Sequence, residues 1–305
     1  MNQPLTIHVG YHKTATTWMQ NRLFVADHGY AQIADHGEVF VHVVQPHGLI
    51  FDPRAMADLI DTRRSGLAAG VTPVISSEIL CGNPLYGGRE SEVYAQRLAR
   101  IAPDARILIS IRDQKRILPS VYMQYLLRGG TMRWDRFFDG TDEFGYFGFS
   151  ARHFEYHRLV MLYQDLFGAS NVHVTTQESL KHDMDATAAT IAAFAGNTSF
   201  DGLSMAARQP SGVSYPEYAV PVLRRINHLQ ASTLNPAPVV RVGTTPKGLY
   251  RLAGYALKRP PLSKLLSGRT PVSDYVRTKF EGLFHDSNRR LAQIVGHPLD
   301  LSGYD

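Results

Sequence analysis

What most constrains this chain is an alternation. Short apolar runs at 5–10, 72–77, 105–111 and 171–176 are separated by stretches whose apolar residues recur at helical spacing. The first run holds no charged residue and the third is dense in Ile and Leu. Runs of that kind read as strands buried on both faces of a sheet. Helical patterns cover 16–26, 53–69, 92–101, 117–128 and 154–167. In the first, Met19, Leu23 and Ala26 share a face; the second stops at Gly70, and the fourth at Gly129 and Gly130. Strands alternating with helices predict an α/β fold, a central parallel sheet with helices on both faces. Residues 27–52, which hold His28, His36, His42 and His47, lack a period and read as a looser connection.

After about residue 204 the pattern changes. Residues 216–230 read as a helix, 234–271 as a Pro-, Gly- and Lys/Arg-rich segment without a period, and 274–296 as one closing helix. The chain of 305 residues carries no internal repeat, so the expectation is a single domain over 1–305. Its α/β core would occupy 1–200 and a mainly helical extension 201–305. With 44% hydrophobic and 19% charged residues the composition is that of a folded globular chain. The single cysteine, Cys81, excludes an intrachain disulfide and a cysteine-based metal cluster. The first residues lack a basic, then apolar leader, and no run approaches the about 18 apolar residues of a membrane span. The expectation is a soluble protein of a reducing compartment, the cytoplasm. The formal charge of +5 favours an anionic ligand.

In open parallel sheets, ligands bind beyond the carboxyl ends of the strands. After the first strand the chain reads Gly10-Tyr11-His12-Lys13-Thr14-Ala15-Thr16-Thr17-Trp18 and then enters a helix. A strand, a tight loop and a helix N-terminus aim unpaired backbone N–H groups at one point, with about half a positive charge from the helix dipole. Lys13 adds a full charge, and Thr14, Thr16 and Thr17 add hydroxyls, a set that suits a phosphate. An ordinary strand–helix turn would need only one threonine as a cap. The nucleoside-triphosphate pattern G-x-x-x-x-G-K-[ST] does not fit, because Lys13 follows Gly10 by three residues.

The loop resembles instead the 5′-phosphosulfate loop of sulfotransferases that use 3′-phosphoadenosine 5′-phosphosulfate (PAPS), with a pattern close to x-K-[ST]-G-T-T-x-[LM]-Q. Here the run is Lys13-Thr14-Ala15-Thr16-Thr17-Trp18-Met19-Gln20, with Ala15 in place of Gly. Alanine is uncomfortable at φ > 0, so an altered loop is expected if the glycine needs that region. At the end of the third run, Arg112, Ser120, Tyr122 and Gln124 fall on that family's 3′-phosphate pattern R-x-x-x-x-x-x-x-S-x-Y-x-Q. An Arg fork and a hydroxyl can together hold a phosphate, while an Arg paired with Asp113 would be merely structural. Pro119 would start or kink the helix and leave Ser120 near its N-terminus. The run Ser76-Ser77-Glu78 resembles the strand end of bacterial carbohydrate sulfotransferases, where the carboxylate could take a proton from an attacking hydroxyl.

The resemblance implies a P-loop-like three-layer fold whose C-terminal helical extension covers the nucleotide and acceptor cleft. It implies sulfuryl transfer from PAPS to a hydroxyl on a carbohydrate or other small metabolite, without a metal. Lys13, Thr14, Ala15, Thr16, Thr17 and Trp18 would hold the 5′-phosphosulfate, and Arg112 and Ser120 the 3′-phosphate. Glu78 would be the base, with His12, and then His42 and His47, as rivals. Arg208 and Ser211 lie in a basic segment that would fold over the nucleotide. A kinase-type phosphoryl-transfer enzyme and a non-catalytic nucleotide- or polyanion-binding protein remain the other classes. Residues 241–280 hold nine basic residues and one acid, Asp274. That segment reads as a solvated surface or as a lip for an acidic glycan or an anionic membrane; no nucleic-acid motif accompanies it.

Overall fold

Five strands run parallel in one sheet: β1 (Thr6–His8), β2 (Tyr30–Ala34), β3 (Thr72–Ser76), β4 (Arg106–Ile111) and β5 (Val172–Thr176). Their spatial order is β2-β3-β1-β4-β5, so β1 is flanked by β3 and β4 at the centre. The computed structural model describes residues 3–209 and 215–304.

The two-residue alternation of the strands divides the core. Ile7, Ile75, Ile107, Ile109 and Val174 face one cluster with Met56, Leu98, Val121 and Val160 from the helices Arg54–Ser65, Ser91–Ile101, Gln114–Leu127 and Tyr156–Phe167. Val74 and Leu108 face a second cluster with Trp18, Met19, Leu23 and the Ala188, Ile191 and Ala195 side of helix Met184–Ala195. Helices therefore cover both faces, the three-layer arrangement expected for a parallel sheet. His8, Ser76 and Ser110 share the parity of the second face and are buried there.

Several elements differ from the sequence expectation. The 27–52 stretch contains β2, an edge strand with little β-branched character, and a capping box at Asp35–Glu38. The 114–127 helix starts earlier than expected, because the Asp113 carboxylate accepts from Lys115 N at 2.8 Å and caps it. Pro119 thus lies inside the helix, and Ser120 sits in the second turn, not at the N-terminus. The single closing helix expected over 274–296 is two, Pro271–Lys279 and His285–Ile294, divided where Gly282 takes φ +69. They pack on Gln114–Leu127 and Tyr156–Phe167 respectively, and Val276, Phe284 and Leu291 join the same cluster as Ile107. Within the period-free 234–271 segment stand the helices Gly248–Leu257 and Leu262–Leu266.

Candidate active site

β1 continues past His8 beside β4, with Val9 N donating to Leu108 O and Tyr11 N to Ser110 O. The chain then turns over the carboxyl ends of the central strands, and a Cβ on Gly10 would lie 2.5 Å from Thr16 Cγ2 and 2.6 Å from Ser110 Oγ. Only glycine lets the backbone pass that close. Lys13 and Ala15 take φ 70 and φ 68, the non-glycine residues in the left-handed region among those described. Ala15 therefore adopts a backbone that suits glycine. The strain costs about 1–2 kcal/mol per residue. Helix Thr16–Trp18 starts at Ala15, with Trp18 N and Met19 N both donating to Ala15 O, and runs on into a π turn.

A buried chain of hydrogen bonds holds that strain. Thr14 Oγ1 donates its one proton to Tyr11 O at 2.6 Å, so in its 2.7 Å contact with Ser110 Oγ it accepts. Ser110 has then spent its proton, and His8 Nε2, 2.9 Å away, must be the donor to it. His8 Nδ1 is left as acceptor for the Ser76 hydroxyl at 2.8 Å. The proton order Ser76→His8→Ser110→Thr14→Tyr11 O fixes His8 as the neutral Nε2–H tautomer. Burial pulls this imidazole down to about 4, against the opposing pull of Glu78. Thr14 thus anchors the loop through its side chain and does not offer its hydroxyl to a ligand. Trp18 is likewise turned inward, its Nε1 donating to Ala207 O at 2.7 Å. Thr16 is buried with its methyl toward Gly10, and Thr17 is exposed.

Arg112 leaves the end of β4 and meets Ser120 as the motif anticipates. Its Nη1 donates to Ser120 Oγ at 3.1 Å and, more weakly, to Lys13 O at 3.4 Å. Asp113, the suspected partner, pairs instead with Arg116 at 3.3 Å. Arg112 Nε is buried without a hydrogen-bond partner, a donor in want of an acceptor. Beside this pair opens a cleft of about 400 Å³ lined by Lys115, Arg116, Ser120, Tyr215 and Arg277 among others. Core and C-terminal extension thus both supply its walls. Its acids are engaged: Asp113 by Arg116 and Lys115 N, Glu217 by Ser273 N at 2.8 Å.

Glu78 opens the turn after β3, and Gln20, from the π turn behind the Lys13 loop, donates to Ser76 O at 3.1 Å and to Glu78 Oε2 at 3.4 Å. Burial pushes the Glu78 carboxyl up, but its own backbone N–H, His12 and His36 outweigh this and hold it below the usual carboxylate range. His12 is pulled down to about 4 by burial, against Glu78 and helped by Lys13 and His36. At neutral pH the pair is a carboxylate beside a neutral imidazole, and either can accept a proton. Burial, Arg112 and Arg128 lower the Lys13 ammonium while Glu78 raises it. Lys13, His12, Glu78 and Arg112 are therefore brought together.

Other candidates lie elsewhere. Arg208 pairs with Asp185 at 3.0 Å in an exposed salt bridge. Ser211 lies outside the described residues. His47 Nδ1 accepts from Leu49 N and caps a short turn; His42 acts on Glu38, not on Glu78. Two residues next to the site were not singled out in the sequence. His36, bonded to Ser77 Oγ at 2.8 Å, faces Glu78 and His12. Arg128, at the end of the Gln114–Leu127 helix, acts on both His12 and Lys13. Among the described residues no group of three or more metal-ligating side chains converges, and no helix is long and apolar enough to cross a membrane.

No protein-family model and no curated protein matches this sequence. Among solved structures, the chain is similar to a sulfotransferase from Alicyclobacillus acidocaldarius, at 15% identity and a TM-score of 0.49, covering 90% of this chain and 100% of that one. It is also similar to the mouse sulfotransferase SULT7A1 complexed with PAP, at 14% identity and a TM-score of 0.42, covering 94% and 85% of the two chains.

Proposed function

We propose that this chain is a sulfotransferase that moves a sulfuryl group from PAPS to an acceptor hydroxyl, leaving 3′-phosphoadenosine 5′-phosphate (PAP). The observation that carries the reading is the Arg112–Ser120 contact, with the guanidinium tied to the Lys13 backbone, facing Glu178 but in no direct ion pair among the described residues, and holding one buried N–H without a partner. That donor set fits a phosphate and tells a 3′-phosphorylated nucleotide from one without it. The backbone N–H groups of 13–17, with Thr16 and Thr17, hold the 5′ end at a helix N-terminus. From the extension, Tyr215, Ser273 and Arg277 wall the nucleotide cleft; Arg208 is engaged by Asp185 and adds little.

The donor supplies a sulfur already bonded to a good leaving group. Its S–O bond to phosphate breaks as the bond to the acceptor oxygen forms. Lys13 neutralises charge growing on the phosphate oxygen, and Glu78 receives the acceptor proton, with His12 beside it. This is rate enhancement by positioning and preorganised charge, with no metal assigned. The acceptor is a carbohydrate or other small hydroxyl metabolite. The lone, buried Cys81 suits a cytoplasmic setting.

The experiment is transfer of sulfur-35 from labelled PAPS to a panel of sugar and metabolite hydroxyls. Glu78→Gln should retain PAP binding and lose roughly 10²–10⁴-fold in turnover. Turnover by the folded parent should hold as pH falls from neutral and decline only as Glu78, held below the usual carboxylate range, takes up its proton. Near-normal turnover by Glu78→Gln would move the base to His12.

A further inference from the structure

Residues 218–273 contain no Asp or Glu, yet hold nine basic residues: Arg224, Arg225, Arg241, Lys247, Arg251, Lys258, Arg259, Lys264 and Arg269. An acid-free stretch of that length leaves its cations to be neutralised from outside. Arg251, Arg259, Lys264 and Arg269 are exposed and form no ion pair among the described residues. Lys258 lies with its ammonium 4.7 Å from the centre of the Tyr215 ring.

Helix Gly248–Leu257 presents the same segment in two halves. Tyr250 and Gly254, one turn apart, are buried toward the Val220–Asn227 helix. Gly254 also packs on Tyr215, ahead of that helix, so closely that a Cβ would fall 2.2 Å from its ring. The opposite side turns Leu249 and Leu252 to solvent with Tyr255, and Leu252 is 68% exposed. The next helix, Leu262–Leu266, turns out Leu262 and Leu265, the latter 77% exposed. Large aliphatic side chains this open, interleaved with Arg251, Arg259 and Lys264, are poorly explained by solvation alone. A soluble polyanion would match the cations and leave the leucines wet.

We infer that the 248–269 surface rests on an anionic lipid membrane, its leucines and Tyr255 in the headgroup boundary and its Lys and Arg on the lipid phosphates. The charges supply attraction over about a Debye length, and the apolar side chains supply the contact that outlasts it. Because Gly254 and Lys258 pack on Tyr215, which also lines the Arg112 cleft, this face lies behind one wall of that cleft.

The test is co-sedimentation of the full chain with phosphatidylcholine vesicles and with vesicles carrying about a third phosphatidylserine. The inference predicts binding to the second and not the first, and weakening by salt. Replacing Arg251, Arg259, Lys264 and Arg269 with Gln should lower partition by roughly fivefold per charge. Leu252→Gln with Leu265→Gln should also lower it strongly, while leaving retention on a heparin column nearly unchanged. All six positions are exposed, and an unchanged melting temperature confirms that each variant is folded. Equal recovery with both vesicles, or full binding by the leucine variant, overturns the inference. Heparin retention without vesicle binding by the parent overturns it in favour of a soluble polyanion.

Discussion

The Lys13 loop rests on a hydrogen-bonded chain that crosses the three central strands, whereas Arg112 is held by one bond to Ser120 and a longer one to the Lys13 carbonyl. The relay beneath the first region spends each of its side-chain protons internally, and the loop above it keeps two residues at positive φ; the second region keeps a buried donor unspent. A fold can hold strain where polar groups beneath are fully paired, since breaking one bond would strand the rest. It can hold an unpaired donor only where solvent or a ligand meets it. In the proposed reading the loop is a preformed cradle for any 5′ anion, and Arg112 is the part that discriminates.

The largest effect that would separate the two regions is expected from Arg112→Ala. By titration calorimetry, PAP affinity should fall by about 3 kcal/mol, roughly two orders of magnitude, with the loss of its charged hydrogen bonds. Adenosine 5′-phosphosulfate, which lacks the 3′-phosphate, should bind as before. An equal loss for both would make Arg112 part of the cradle.

Acid should attack the cradle next. His8 in the folded chain sits near 4, against about 6.5 when unfolded, so the unfolded state binds more protons between these values. Stability is therefore full above about pH 6.5 and falls as pH drops, with His8 alone contributing about 2 kcal/mol of loss by about pH 5. Burial lowers His153 and His173 to about 3, and they act in the same direction. Urea midpoints across this range check it, and His8→Phe should reduce the slope. A flat profile would mean that His8 is not held neutral.

Ser110→Ala cuts the chain between His8 and Thr14 at its centre. It leaves the His8 N–H without an acceptor, at about 1–3 kcal/mol. PAP and adenosine 5′-phosphosulfate should both weaken, by roughly tenfold, with their ratio unchanged. A changed ratio would show that the two regions are not separable. Ala15→Gly is the smallest effect: relief at φ 68 should stabilise the fold, by thermal melting, by roughly 0.5–1 kcal/mol after the entropy of the unfolded glycine is counted. Destabilisation would contradict the strain.

These contrasts also explain what could be read in advance. Lys13, Arg112, Ser120 and Glu78 are legible because each lies a fixed number of residues from a strand end, where local spacing dictates position. His36 and Arg128 reach the same point from an edge-strand connection and from the far end of a helix, and no spacing encodes that. His8 hides within a run of apolar character, its role visible only when β3 and β4 bring Ser76 and Ser110 to either side. Strand β2 escapes because Tyr-Ala-Gln-Ile-Ala is short and weakly branched. Helix Met184–Ala195 did carry signals in Asp183 as a cap, an alanine-rich interior and Gly196 as a stop, although its small side chains blur the apolar period.

The central claim is that this site takes a 3′-phosphorylated adenine nucleotide. Calorimetric titration of the full chain with PAP, with adenosine 5′-phosphate and with ATP plus Mg²⁺ tests it most directly. PAP should bind about 100-fold tighter than either of the others, on the charged bonds of Arg112 and Ser120. Equal affinity for PAP and adenosine 5′-phosphate, or preference for ATP with Mg²⁺, would contradict it.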